Sequence, residues 1–226
     1  MSDWRTITAS APAKVILHGE HSVVYGKLAL AASLDLRTKV TIKNNNNTIL
    51  NHHVKQQQQH QRRNLRVHFL SYAKTPIDID LEVMRSLSYD LNDTNATSCI
   101  DEILKTKLVQ LVCDCCPEEH LVHSEGLVAF LYLMVALFQE AGMIIPPAIE
   151  VTVNSDIPIG AGLGSSAAFS VASAAALIQL LLGLQQRNCT RVGPAIMCAD
   201  LKTVQDRICQ WSFKSEKIIH GTPSGL

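Results

Sequence analysis

The stretch from Pro158 to Ala168, Pro-Ile-Gly-Ala-Gly-Leu-Gly-Ser-Ser-Ala-Ala, constrains this chain more than any other. Gly160, Gly162 and Gly164 fall at every second position. Without a Cβ, each can take left-handed dihedrals and let backbone approach a ligand closely. Ser165 and Ser166 follow, and a helix-forming run opens at Ala167. The start of a helix presents unpaired N–H groups and a partial positive charge, so a glycine-rich turn feeding it makes an anion site, with phosphate the usual anion. A flexible turn with a serine cap is the plainer reading, but three alternating glycines and two serines exceed what a cap needs. The P-loop pattern is not met, because no lysine lies in the stretch. Nor is the dinucleotide fingerprint, because the third glycine comes one residue early. The cation for a phosphate here must come from elsewhere in the chain.

The 226 residues suit one large domain or a domain and a fragment, and 47% hydrophobic content suffices for a substantial core. Twenty basic and 20 acidic side chains balance, which argues against a nucleic-acid surface or a polybasic membrane anchor. The N-terminus shows no secretory signal pattern. Ala167–Leu184 is the one candidate membrane span, but its serines, its glutamine and its lack of basic flanks fit a buried central helix better. Seven cysteines, an odd number, favour a reduced cytoplasmic state. Cys113 and Cys116 stand at C-x-x-C spacing with Cys115 between them. His120 and His123 could complete a zinc site, but there is no second spaced cysteine pair.

Along the chain, Trp4–Ala9 reads as a first strand, and Ala11-Pro-Ala-Lys as a turn into a short strand, Val15–Leu17. Thr38–Lys43 alternates as a strand. Residues 44–63, rich in Asn, Gln and His, form a low-complexity insertion read as a loop. Helices are expected at Asp80–Leu91, Ile100–Cys113, Ser124–Gly142 and Asp200–His220, and a strand at Ala148–Val153. Taken singly, Lys14, Glu20, His21 and Glu216 have ordinary readings as surface lysine, polar turn and solvent-facing helix residue.

Taken together with the glycine loop, these residues resemble the GHMP kinases, and within them the mevalonate kinases. The likeness lies in Ser10-Ala-Pro-Ala-Lys-Val-Ile-Leu-His-Gly-Glu-His, in Ser155-Asp-Ile-Pro-Ile-Gly-Ala-Gly-Leu-Gly-Ser-Ser-Ala-Ala, and in Glu216-Lys-Ile-Ile-His-Gly-Thr-Pro-Ser-Gly. It implies an α+β fold over residues 1–226, the GHMP kinase N-terminal domain, with a mixed sheet and helices resembling ribosomal protein S5 domain 2. It also implies transfer of the γ-phosphoryl of ATP to mevalonate, giving 5-phosphomevalonate in isoprenoid and sterol synthesis, with Mg²⁺ as cofactor and a possible homodimer. By the family's pattern Ser155, Gly160, Ala161, Gly162, Leu163, Gly164, Ser165 and Ser166 hold ATP. Lys14 stands near the reacting oxygens, Ser166 and Glu216 ligate Mg²⁺, and Glu20 and His21 line the substrate side. Rival readings are another small-alcohol kinase, such as phosphomevalonate kinase or galactokinase, and a catalytically dead nucleotide- or partner-binding protein.

Three departures qualify the resemblance. The family reads Ala-Pro-Gly-Lys where this chain has Ala13. The low-complexity insertion replaces a region with nucleotide contacts. The family continues Pro-Ser-Gly-x-Asp, whose aspartate is the catalytic base, whereas this sequence stops at Leu226. The base and a C-terminal domain are thus expected only beyond it, and little turnover is expected of these residues alone. Asp200 and Asp206 are poor substitutes, lying roughly 15 Å or more from Glu216 along a helix axis.

Overall fold

Along β1 (Thr6–His18), Ala9, Ala11 and Ala13 are buried, while Thr8, Ser10 and Pro12 face out. This period-2 pattern belongs to a strand with one face on a core. The computed structural model describes residues 6–22, 25–44, 64–71, 75–89, 100–116, 124–188 and 201–221. The expected turn at Ala11–Lys14 is not there, and the strand runs through it. Pro12 is tolerated because β1 is an edge strand, where a missing N–H need not break a ladder. The irregularity is absorbed by the partner strand. Pairing jumps from Pro12↔Arg37 to Ala13↔Leu34, so Asp35 and Leu36 bulge out of β2 (Leu30–Asn44).

β2 starts well before the expected Thr38. Its first half pairs only with β1, because β5 (Ile149–Ser155) reaches no further than Thr38. Most of that half is exposed, with Leu34 half-buried, so it carries no clear alternation to read. β3 (Asn64–Phe69) and β4 (Ile77–Asp80) were not expected. The sheet order is β1-β2-β5-β3-β4, antiparallel except for the parallel β3/β5 pair. The mixed α+β sheet anticipated from the sequence is therefore present.

Asp80 ends β4 rather than opening a helix. Its carboxylate accepts from the Glu82 N–H at 2.8 Å and so starts α1 (Leu81–Tyr89). Asp101 caps α2 (Glu102–Cys115) in the same way, accepting from Ile103 and Leu104. α3 (Ser124–Glu140) forms as the sequence predicts, and ends where Gly142 takes φ 62°. It is buried on all sides from Leu127 to Val135, because α1, α2, α4 (Ser165–Asn188) and α5 (Leu201–His220) all touch it. α4 lies against β1 and β2. The alanines of β1 and Ala168, Ala172 and Ala176 of α4 are all buried, and small side chains let helix and sheet approach closely. Over Ser165–Gln186 this helix is long and apolar enough to cross a membrane, but 67% of its most apolar window is buried inside the fold. It is a core helix, as its serines suggested.

The cysteines at the end of α2 bear on the zinc reading. Burial pushes the Cys116 thiol up to about 12 and raises Cys115 as well. Both thiols are therefore held protonated in the metal-free protein. His120 and His123 lie outside the described residues, and no cluster of three or more metal-ligating side chains stands among those described. A labelling prediction follows from these thiols. The thiolate is the nucleophile, and at pH 8 a thiol titrating near 12 is ionised to only about one part in 10⁴. Iodoacetamide at pH 8 should label the exposed Cys113 and Cys209 first, and Cys116 labelling should speed up about tenfold per pH unit above that. Peptide mass spectrometry reads both.

Candidate functional site

β5 delivers the chain to the glycine loop, and Ser155 fixes its exit. The Ser155 hydroxyl lies 2.8 Å from the Thr38 hydroxyl and accepts from the Ile157 N–H, while its backbone N–H donates to Ser71 Oγ. The side chain expected to touch phosphate is thus engaged in anchoring the strand end.

Gly160, Gly162 and Gly164 adopt φ of 76°, 70° and 72°, a region that costs any residue with a Cβ. α4 opens at Ser165, two residues earlier than the sequence suggested. The Gly164 carbonyl accepts its first helical bond, from Ala168 N at 3.0 Å. Gly164 is therefore the cap residue, and it has no side chain with which to satisfy the N–H groups of the first turn. Ser165, Ser166 and Ala167 present those donors with no capping side chain among the described residues. Ser165 and Ser166 are half-buried and belong to the helix's first turn rather than capping it.

Lys14 is the cation the structure brings to the glycine loop. Its N–H leaves the free edge of β1 and donates to the Leu163 carbonyl at 3.0 Å, tying strand to loop. Its side-chain stem runs over Gly164. A Cβ placed there would lie 2.9 Å from Lys14 Cγ and 3.2 Å from Cε. Only glycine leaves room for the lysine to cross the cap of α4. Lys14 makes no ion pair with another described residue.

Gly19 turns the chain at the end of β1 with φ 90°, where a Cβ would meet the Leu28 carbonyl oxygen at 2.5 Å. This sharp turn exposes Glu20 and His21.

Glu216, read from sequence as open to solvent in its simplest account, is only 7% exposed. Its Oε1 atom has no hydrogen-bond partner among the described residues. A buried carboxylate oxygen left bare costs free energy unless something cationic or hydrogen-bonding reaches it. α5 packs along α4, and Ser215 meets Ser170 at 2.9 Å, one helical turn beyond Ser166. A hydroxyl and a carboxylate are the hard oxygen donors that Mg²⁺ takes, so Ser166 and Glu216 are of the right chemistry for that ion.

The family profile described as "GHMP kinases N terminal domain" matches residues 129–226, from within α3 through the glycine loop to the chain's last residue. The chain is 35% identical to human mevalonate kinase and 34% identical to that of Arabidopsis thaliana, over 97% of its own length in each case. It covers 50% and 53% of those proteins. Over residues 129–226 the chain is similar to the N-terminal domain of the GHMP kinases. It spans about half the length of the curated relatives it matches. Among solved structures, the mevalonate kinase of Methanococcus jannaschii aligns with a TM-score of 0.53 at 17% identity, covering 98% of this chain and 49% of that one. At that identity the likeness concerns the fold. Of the Asn/Gln/His-rich insertion at residues 44–63, residues 45–63 lie outside the described residues.

Proposed function

We propose that this chain forms the ATP- and Mg²⁺-binding half of a mevalonate kinase, acting in the cytoplasm on ATP and mevalonate. The observation that carries the reading is the glycine-capped start of α4, crossed by Lys14 and flanked on α5 by a buried carboxylate with a bare oxygen. Phosphoryl transfer is mainly positioning plus stabilisation of spread negative charge. The N–H groups of the loop and of Ser165 and Ser166, with Gly160, Ala161, Gly162, Leu163 and Gly164, hold the triphosphate. Ser155 acts one step back by fixing the loop's origin. Lys14 places its ammonium where charge develops on the transferred group. Ser166 and Glu216 hold Mg²⁺, which neutralises phosphate charge when bound. Glu20 and His21, exposed beyond the tip of β1, face the acceptor alcohol.

ADP release tests this reading. It is measured on this chain alone and supplied with the C-terminal half of a relative such as human mevalonate kinase, using mevalonate, phosphomevalonate or galactose as acceptor. Mevalonate should support release, and Lys14→Met should lower it by about 10²–10³-fold through loss of one charge-stabilising donor. Release driven by galactose instead would move the chain to the sugar kinases. ATP binding without release on any acceptor would make it a nucleotide-binding protein.

A further inference from the structure

Ser170 and Ser215 are both fully buried, and their hydroxyls lie 2.9 Å apart across the contact between α4 and α5. Ser170 lies one turn from Ser166 on the same face of α4, and Ser215 immediately precedes Glu216. Ser212 and Glu216 on α5 and Ser173 on α4 are the other buried polar side chains of these two helices among the described residues. A hydrophobic pair would hold two helices together without fixing their register. A hydroxyl pair fixes it, because sliding or rotating either helix leaves two buried polar groups unsatisfied. The two candidate metal donors sit on different helices, so their separation depends on that register.

We infer that Ser170 and Ser215 are positioning residues that set Ser166 and Glu216 at the spacing a divalent cation requires. The inference rests on the metal assignment proposed above. Hydroxyls at these two positions serve as the outer support of a metal site whose inner donors lie one turn and one residue away. Small side chains are also needed there, since a larger one at either position would wedge α5 from α4 and carry Glu216 away from the loop.

Titration with Mn²⁺ in the presence of ADP, following the free-ion paramagnetic resonance signal, tests this on four proteins: the parent chain, Ser170→Ala, Ser215→Ala and the double variant. Nucleotide affinity without metal and the melting temperature are measured alongside. Each single variant should weaken Mn²⁺ binding by about tenfold, the low end for outer-support residues. The double variant should be little worse than either, because the two side chains act as one pair. Metal-free nucleotide affinity should not move. Glu216→Gln separates the possible failures. If Glu216→Gln weakens Mn²⁺ and the serine variants do not, the inference is wrong and the metal assignment stands. If Glu216→Gln also leaves Mn²⁺ unchanged, the metal assignment fails and the inference with it. Serine variants that lose metal-free nucleotide binding as much as Mn²⁺ binding would reduce the pair to ordinary packing.

Discussion

Gly164→Val should lose Mg·ATP binding by about 100-fold or more, from left-handed backbone strain of roughly 1–3 kcal/mol together with a displaced lysine. Two obstacles act at once. Gly164 has φ 72°, where a β-branched residue is a strong outlier. Its new Cβ would also stand 2.9 Å from Lys14 Cγ, so the lysine stem must leave its path over the cap of α4. Gly160 and Gly162 separate these effects. Both have positive φ, but a Cβ at either meets nothing within 4 Å. Alanine there should therefore carry the backbone strain alone, weakening ATP by about tenfold. Calorimetry on the three variants reads the gradient. Equal losses at all three would show that the Lys14 crossing is irrelevant, and undiminished binding in Gly164→Val would remove the phosphate loop altogether.

Glu216→Met should act in opposite directions on stability and on metal response. The carboxylate is buried with one bare oxygen. Replacing such a group by an apolar side chain of similar length relieves the cost of leaving it unsatisfied, an expected gain of about 1–3 kcal/mol. The metal-free variant should therefore melt higher than the parent. Adding Mg²⁺ with ATP should raise the melting temperature of the parent, because a ligand bound only by the folded state stabilises it. The variant should respond to ATP with little dependence on Mg²⁺. A variant that melts lower and still responds to Mg²⁺ would make Glu216 an ordinary structural residue.

The glycine loop was legible because residue identity encodes backbone geometry. Three glycines at alternate positions took three positive φ angles, and no packing information was needed to foresee them. Lys14 was legible as a missing cation but not as the side chain that makes Gly164 obligatory. That crossing depends on how an edge strand meets a loop some 150 residues later. Glu216 shows the same limit. Its helix was evident from periodicity, yet which face is buried depends on how α5 sits against α4. Leu201, apolar and at the start of that helix, stays exposed, whereas Glu216 is buried. Ser155 was assigned by its place before the loop, but Thr38 and Ile157 occupy its hydroxyl. β3 escaped notice although Leu65, Val67 and Phe69 alternate, because six residues beside a low-complexity tract offer little contrast. Pro12 suggested a turn because proline usually breaks strands, and only the edge position of β1 makes it harmless.

Calorimetric titration of the chain with AMP, ADP and ATP, each with and without Mg²⁺, tests the central claim most directly. A site built from the first turn of α4, the glycine loop, Lys14 and Glu216 reads phosphates and their metal. Affinity should therefore rise from AMP to ADP to ATP, and the gain for ATP should require Mg²⁺. If AMP binds as tightly as ATP, or Mg²⁺ makes no difference to either, the loop is not a triphosphate site and the account is wrong.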